Sequence, residues 1–424
     1  MKKQILLFGL LIWMLPLGAQ NLRPVSLNEC LQKAVENYPD RKQLANNQKE
    51  FELNTQNLDA NYLPSLNLNG QASYQSEVTH ISLSLPGVSI PSVSKDQYKI
   101  NLNLEQLIWD GGATKAQKQL AQSNYKIADQ QVQVSLYQLK NSVSVSYFQV
   151  LFLKENLKAL YVMRDDLKAR IKDARTAVDN GALLLSDLQT LQVSEKQAEQ
   201  LITEKEADIN ATLAALSELT GIKLASAKQI TAPDLSLNSN FPFDNQRPEY
   251  KLLEARQNKI EAMTKLTSVQ RRPILKLFGQ AGYGRPGYNM LNDKFSDYYI
   301  GGVQLYWKIW DWSKTKHEKQ ILTLQNNNLE ASKETFTRNL QAEYRQQLIQ
   351  IEKFKELIQS DKEIVTLQNQ VMKTAENKFK NGTLTTTDYL IELNKKVKAV
   401  LNLEAHKTQL LFSQYQYLMA MGSI

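Results

Sequence analysis

The sequence contains few of the residues that build catalytic and metal sites. It has one cysteine, Cys30, and three histidines, His80, His317 and His406, in 424 residues. A single cysteine excludes an internal disulfide, and no histidine lies at a metal-ligand spacing from another histidine or from the cysteine. The sequence also lacks a phosphate-binding glycine loop and a nucleophile elbow. We therefore predict a protein that is not an enzyme, with no catalytic residues, no cofactor and no metal.

Long hydrophobic runs are absent beyond the N-terminus. Residues 5–17 are apolar, follow Lys2 and Lys3, and end in the small-residue context Leu17-Gly18-Ala19. A helix needs about 20 apolar residues to cross a bilayer. We therefore predict a cleaved signal peptide over residues 1–20 instead of an anchor. Any later membrane contact must come from strands or a surface helix. The net charge of +8 is spread along helical segments, so no nucleic-acid partner is expected.

Glycine and proline are missing from two long segments, residues 113–180 and 313–381. Each could form a helix about 100 Å long, and apolar residues recur in them at the three–four spacing of coiled coils. Gly181 and Gly382 then end the helices, because glycine is the common residue after a helix C-terminus. The helical pattern resumes directly afterwards. The sequence therefore predicts two long antiparallel helical hairpins with tight tips.

Four other segments alternate apolar and polar residues over about ten positions, as strands with one apolar face do. A small soluble sheet on a core would give this pattern, and so would a membrane barrel with lipid outside. The matching phase of all four segments and the aromatic residues near their ends favour the barrel. Four strands cannot close a barrel, since the smallest has about eight. We therefore expect several copies to share one, and three copies would supply twelve strands.

The chain is an internal tandem duplication. Tyr98–Lys115 matches Tyr299–Lys316 at an offset of 201, and Pro64–Tyr74 matches Pro273–Tyr283 at 209. We predict a first repeat over residues 21–244 and a second over 245–424. In the first we expect strands at about 65–76 and 98–110, a long helix at about 113–179, a tip at about 180–183 and a return helix at about 184–219. In the second we expect strands at about 274–285 and 298–311, a long helix at about 313–380, a tip at about 381–384 and a return helix at about 385–421.

The order of these features resembles the TolC-like outer-membrane efflux protein family over essentially the whole mature chain. The matching features are the signal peptide, the duplication, the strands that begin after Pro64 and Pro273, and a tip glycine followed six residues later by aspartate. The resemblance implies an α/β membrane protein, mainly α. Long antiparallel coiled-coil hairpins and four transmembrane strands per chain would join in a homotrimer with a 12-stranded barrel and an α-helical periplasmic tunnel.

The resemblance also implies a function and partners. The chain would be the outer-membrane exit duct of a tripartite efflux pump or of a type I secretion system, and would extend into the periplasm. A periplasmic adaptor would dock on the helical tips, and an inner-membrane pump would act through it. The alternative is a non-transport periplasmic coiled-coil structural protein. The transported substrate is not indicated by the sequence.

Two groups of candidate site residues follow. The adaptor-contact tips are Gly181, Ala182, Leu183, Gly382, Thr383 and Leu384. Asp187 and Asp388 would form acidic rings at the tunnel constriction, which attract cations. Their alternative role is purely structural, since an aspartate in the first turn of a helix stabilises the helix dipole. The tip glycines would likewise serve in an ordinary hairpin turn. Leu384 and Ile391 occupy positions that are charged in some family members. The resemblance therefore does not imply a gating mechanism for this chain.

Overall fold

The computed structural model describes residues 23–79, 92–234 and 246–423. The predicted signal peptide and His80 lie outside these residues, as do parts of the first hairpin loop and of the segment between the repeats. The helices are α1 Leu27–Asn37, α2 Arg41–Ala60, α3 Ala113–Asp179, α4 Leu185–Thr220, α5 Pro248–Val269, α6 Lys314–Lys380 and α7 Thr386–Met421. The strands are β1 Ser65–Tyr74, β2 Asp96–Trp109, β3 Ile274–Arg285 and β4 Ser296–Tyr306.

The two halves of the sequence form matching elements. Helices α3 and α6 have 67 residues each, and α4 and α7 have 36 each. The turn between the second strand and the long helix also recurs. Gly111 and Gly112 have φ of +67° and +93°, while Trp312 and Ser313 adopt +51° and +65°. A left-handed backbone costs a non-glycine residue roughly 1–2 kcal/mol. The second half therefore forms a left-handed turn at the equivalent positions without glycine.

The segment before β1 is divided into two helices. The sequence predicts a helical segment from Leu27 to Asn61, and the structure divides it, since α1 ends at Asn37 and α2 begins at Arg41. Pro39 explains the break. Its ring disfavours the helical conformation at Tyr38, and it has no N–H to donate to the preceding turn.

The described residues divide into two compact units, and each combines segments of both repeats. The helical unit comprises residues 23–37, 139–234 and 348–416. The sheet unit comprises residues 38–79, 92–138, 246–347 and 417–423. None of the described helices contains an apolar stretch of the length and hydropathy needed to cross a membrane.

The sheet unit contains one antiparallel sheet in the order β1-β2-β3-β4. Its register pairs Leu66 with Leu104, Leu104 with Gly279, and Leu275 with Leu305, so the apolar residues of all four strands share one face. That face is not covered within the chain, because Leu66 and Leu305 are both 65% exposed. The four strands therefore present their apolar residues on the same face of the sheet, as predicted.

Strand β4 is shorter than the alternation predicts. It ends at Tyr306, whereas the pattern continues to about residue 311. The reason lies in its neighbour, because Tyr306 pairs with Ile274, where β3 begins. Residues 307–311 therefore have no strand beside them. Among the described residues, the outer edges of β1 and β4 have no strand partner.

The helical unit has its own buried core. Near its N-terminal segment, Val25 forms a parallel bridge with Ile230, and both residues are fully buried. The hydroxyl oxygen of buried Tyr147 lies 3.0 Å from the Val25 carbonyl oxygen and 2.7 Å from that of Thr231. These contacts attach the start of the described chain and the segment after α4 to the side of α3.

Candidate docking and constriction site at the helix tips

Both helical hairpins of the helical unit turn through the same backbone motif. Gly181 and Gly382 have φ of +70° and +68°. One residue later, the Ala182 N–H donates to the Ala177 carbonyl at 2.8 Å, and the Thr383 N–H donates to Lys378 at 2.9 Å. A glycine with positive φ followed by this hydrogen bond is the Schellman motif, which satisfies the last carbonyls of a helix. A Cβ at either glycine would meet no atom within 4 Å, so the backbone angle alone requires glycine.

The two return helices begin differently. Thr385 precedes α7, and its hydroxyl accepts from the Asp388 N–H at 3.1 Å and donates to the Asp388 carboxylate at 2.7 Å. Leu184 holds the same position before α4 and makes no side-chain cap. Threonine at this position satisfies a free helix N–H group and leucine cannot. The second tip is therefore capped by a side chain and the first is not.

A buried apolar cluster lies directly beneath the tips, and we call it the tip core. It joins all four helices of the helical unit's hairpins. Its buried members are Leu167, Ala174, Leu188, Leu191, Ala198, Met372, Tyr389, Leu390 and Leu393. Leu183 and Leu384, one from each tip, pack against it. Since both hairpins contribute, the tip core holds the two turns in place relative to each other.

Tyr389 is the largest polar residue of the tip core. It is fully buried, and its ring lies 4.9 Å from the ring of Phe379, centroid to centroid. Its hydroxyl makes no hydrogen bond with the described residues. Burial raises the pKa of Tyr389 well above its ordinary value, and nearby Arg170 opposes the shift. The residue therefore acts as a neutral, bulky apolar group.

The first tip exposes two leucines that the sequence analysis did not name as site residues. Leu183 was a predicted adaptor contact, but it packs on the tip core, as Leu384 does. The exposed leucines are Leu184, at 71%, and Leu185, at 58%. Sequence reasoning missed this pair, although three consecutive leucines at a tight turn cannot all face one core. Gly181, Ala182, Gly382 and Thr383, the other predicted adaptor contacts, are exposed, and their contact with an adaptor stays a prediction.

The two candidate constriction residues occupy the same place, the third position of a return helix. Asp388 is exposed, and its carboxylate accepts from Thr385. Asp187 is half-buried, and its carboxylate has no hydrogen-bond or ion-pair partner within the described chain. An acidic side chain at this position is favourable beside the helix N-terminus. Asp388 thus has a structural role as a cap partner, whatever its role toward ions.

Further along α7, polar contacts join this helix to α6 of its own hairpin and to α3 of the other hairpin. Glu392, beside Ile391, accepts from the Gln368 amide on α6 at 3.0 Å and pairs with Lys395 at 2.7 Å. The Lys395 ammonium and the Gln368 amide hold the pKa of Glu392 below its usual value. Lys396 lies 3.4 Å from Asp166 on α3. Within the described residues, no group of histidine, cysteine, aspartate and glutamate side chains is arranged to hold a metal ion.

Comparisons with known proteins agree with this architecture. Residues 30–222 match the family model described as outer membrane efflux protein. No curated protein matches the sequence significantly. Among solved structures, the outer membrane protein VceC of Vibrio cholerae is similar with a TM-score of 0.69 and 15% identity, over 93% of this chain and 96% of that chain.

Two further structures have the same fold. CusC has a TM-score of 0.72 at 13% identity, over 93% of this chain and 92% of its own. The CmeC outer membrane channel of Campylobacter jejuni has a TM-score of 0.69 at 16% identity, over 94% of this chain and 85% of its own. The predicted fold class, mainly helical with long hairpins and four antiparallel strands, is confirmed by this likeness.

Proposed function

We propose that the chain is a member of the TolC-like outer-membrane efflux protein family and that it is the outer-membrane exit duct of a tripartite efflux pump or type I secretion system. Three copies form one duct. Their sheets join as a 12-stranded barrel in the outer membrane, and their helices form a tunnel in the periplasm. The two sequence repeats, 21–244 and 245–424, each supply one strand pair and one helical hairpin to it.

One observation carries this proposal, namely a sheet whose apolar face is exposed along all four strands. Leu68 is 66% exposed and Val303 is 63% exposed, although both belong to the apolar side of the alternation. A soluble sheet would cover that face with a core. Exposure of a contiguous apolar surface marks a membrane or protein contact. Lipid is the expected neighbour, because the strands are about as long as a bilayer requires of tilted strands.

Exposed apolar residues on two of the hairpin helices support the homotrimer. α6 exposes Ile364, Leu367 and Val371, which recur at helical spacing along one face. α4 exposes Val193 and Leu201. Apolar stripes on helices that have wetted faces elsewhere need a neighbouring surface. In the proposed trimer, neighbouring copies cover these two stripes.

The tips provide the partner surface. The periplasmic adaptor contacts the exposed turns at Gly181, Ala182, Gly382 and Thr383, together with Leu184 and Leu185, while Leu183 and Leu384 support these turns from the tip core. The inner-membrane pump acts through the adaptor. Asp187 and Asp388, present three times each in the trimer, form the acidic constriction that favours cations. The duct is passive and performs no catalysis, and opening rearranges the hairpins around the tip core.

The competing function, a periplasmic coiled-coil scaffold, predicts a soluble mature protein. It gives no reason for the exposed apolar face of the sheet, and we do not favour it.

The test is the mass of the mature protein after extraction of outer membranes in mild detergent, followed by conductance in a planar bilayer. We expect a trimer that is recovered only in detergent and that forms cation-selective channels. A monomer or dimer in the soluble periplasmic fraction would contradict the duct and favour the scaffold. Adaptor binding is tested separately, by crosslinking from a photoreactive residue at Leu184.

A further inference from the structure

The internal repeat offers a template for the contact between neighbouring copies. Within the chain, β2 of the first repeat pairs with β3 of the second. Strand β4 is the repeat image of β2, and β1 is the image of β3. These two strands are also the ones whose outer edges lack a partner in the described chain. Such edges present a row of free N–H and C=O groups, which lipid cannot satisfy.

We propose that β4 of one copy pairs with β1 of the next in the register that β2 and β3 have inside the chain. This inference rests on the trimeric duct proposed above. It adds the residue pairs of the contact between β4 of one copy and β1 of the next, which we call the seam. Leu104 opposes Gly279. Applying the offsets of 201 and 209 puts Leu305 opposite the partner's Gly70. The same operation pairs Gly301 with the partner's Tyr74, Val303 with the partner's Ala72, and Lys308 with the partner's Asn67.

The chemistry of the paired side chains agrees with this register. Gly279 leaves room for Leu104, whose Cβ lies 4.0 Å from the place of a Cβ at the glycine. At Gly70 the corresponding space is empty within the chain, and exposed Leu305 would fill it. The register also keeps the leucines of β1 on the same face as Val303 and Leu305 of β4. A slip by one residue would turn the polar side of one strand to lipid.

The polar face supplies an independent pair. The Gln280 amide donates to the Asn103 amide oxygen at 2.8 Å, between directly opposed residues of β3 and β2. The repeat images of these residues are Gln71 and Gln304. Both are amides, so the same side-chain hydrogen bond is available between Gln304 and the partner's Gln71. Most other positions of these strands differ in residue type between the repeats, whereas this pair consists of two amides in both.

The seam also explains the early end of β4. β2 continues to Trp109, which pairs with Leu275 beyond a bulge. Its image, Trp310, lies outside β4 because the chain offers no strand beside residues 307–310. In the seam, Trp310 pairs with the partner's Leu66. β4 therefore becomes about four residues longer when the copies assemble.

The turn after β4 differs from the turn after β2, so the seam and the contact of β2 with β3 are not equivalent there. A Cβ at Gly111 would lie 2.4 Å from the Cβ of Arg272, so the chain approaches itself too closely there for any side chain. The second repeat has Trp312 at this position, which is 84% exposed, and Leu63 is the image of Arg272. The seam is therefore wider than the internal contact at this turn. The Trp310 and Trp312 rings, 5.8 Å apart, occupy the added space beside the partner's Leu63.

Paired cysteines test the register in the full-length protein. Cys30, which is buried, is first replaced by alanine. The seam variant combines Gln304→Cys with Gln71→Cys, and opposed strand residues are close enough for a disulfide. Two shifted variants combine Gln304→Cys with Asn69→Cys or with Ser73→Cys. The in-chain pair Asn103→Cys and Gln280→Cys is the matched control, because it has the same geometry without an intersubunit bond.

We expect oxidation of the seam variant to give a covalent trimer at least five times more efficiently than either shifted variant. In the unsubstituted trimer, hydrogen exchange should show protected amides at 307–310. A shifted pair that links better, or unprotected amides at 307–310 in an intact trimer, would overturn the register and leave the duct standing. Absence of any trimer in mild detergent would instead overturn the proposed function itself.

Discussion

The two helical tips share a backbone and differ in surface. Both contain a Schellman turn at glycine, an aspartate at the third helical position and a leucine that packs on the tip core. The following two positions are Leu184 and Leu185 in the first tip, and Thr385 and Thr386 in the second. The first pair is exposed and apolar, whereas Thr385 caps its helix and Thr386 is buried. One tip thus has a side-chain helix cap, and the other presents an apolar surface in its place.

A second difference lies beneath the turns. Leu188 of α4 and Tyr389 of α7 hold equivalent positions in the tip core, and both are buried. The larger ring packs against Phe379 in a tilted arrangement, and its hydroxyl makes no hydrogen bond among the described residues. The second hairpin therefore contributes more buried volume to the core. The following four predictions test these differences, beginning with the largest expected effect.

Removal of the tyrosine ring should have the largest effect. Tyr389→Ala should destabilise the helical unit by about 3–5 kcal/mol, because it leaves a large cavity in the tip core. Tyr389→Phe should be neutral or slightly stabilising, since the lost hydroxyl has no partner. Unfolding followed by helical circular dichroism of the detergent-solubilised protein would measure both. Equal damage from the two substitutions would show that the hydroxyl is bonded after all.

The apolar surface of the first tip should matter next. The double substitution Leu184→Thr and Leu185→Thr gives the first tip the residues of the second. We expect adaptor crosslinking to weaken at least tenfold, or about 1.4 kcal/mol, because two exposed leucines no longer contribute apolar contact. Helix stability should stay equal or rise, since threonine can cap α4. Val145→Thr, at an exposed apolar site elsewhere on α3, is the control. Unchanged crosslinking in the double variant would remove these leucines from the docking surface.

Loss of the cap should have a moderate effect confined to the second tip. Thr385→Ala should lower stability by about 1 kcal/mol, since the Asp388 N–H and carboxylate lose their partner. Leu184→Ala removes no cap and should change stability much less. Thr385→Ser keeps the hydroxyl and serves as the control. The comparison requires melting curves of the three variants under one set of conditions, and equal melting temperatures for all three would argue against the cap.

Substitution of the aspartates should have the smallest effect, and we expect it in the ion selectivity of the channel. Asp388→Asn removes the charge and keeps an oxygen that can accept from Thr385, so the tip should remain folded. We expect the cation preference of the channel to fall roughly twofold, a few tenths of a kcal/mol. Asp187→Asn should have a weaker effect, because Asp187 is half-buried and Asp388 is exposed. Reversal potentials in a salt gradient would measure both, and an unaltered potential for Asp388→Asn would exclude it from the constriction.

Much of the fold could be predicted from local sequence. The lack of glycine and proline over residues 113–180 and 313–381 indicated the long helices, and the glycines after them indicated the turns. Alternation with period two indicated the strands and their common face. These features depend on backbone preferences and on side-chain period, which a short segment determines by itself.

Other features depended on what each segment packs against. Of three consecutive leucines, only Leu183 packs on the tip core, which is built from residues of all four hairpin helices. β4 ends at Tyr306 because β3 begins opposite it, although the alternation in sequence continues. The sequence by itself therefore determined which elements form and which face of each is apolar. Only the tertiary structure decided which apolar residues are covered, since burial and strand pairing depend on neighbours that are distant in sequence.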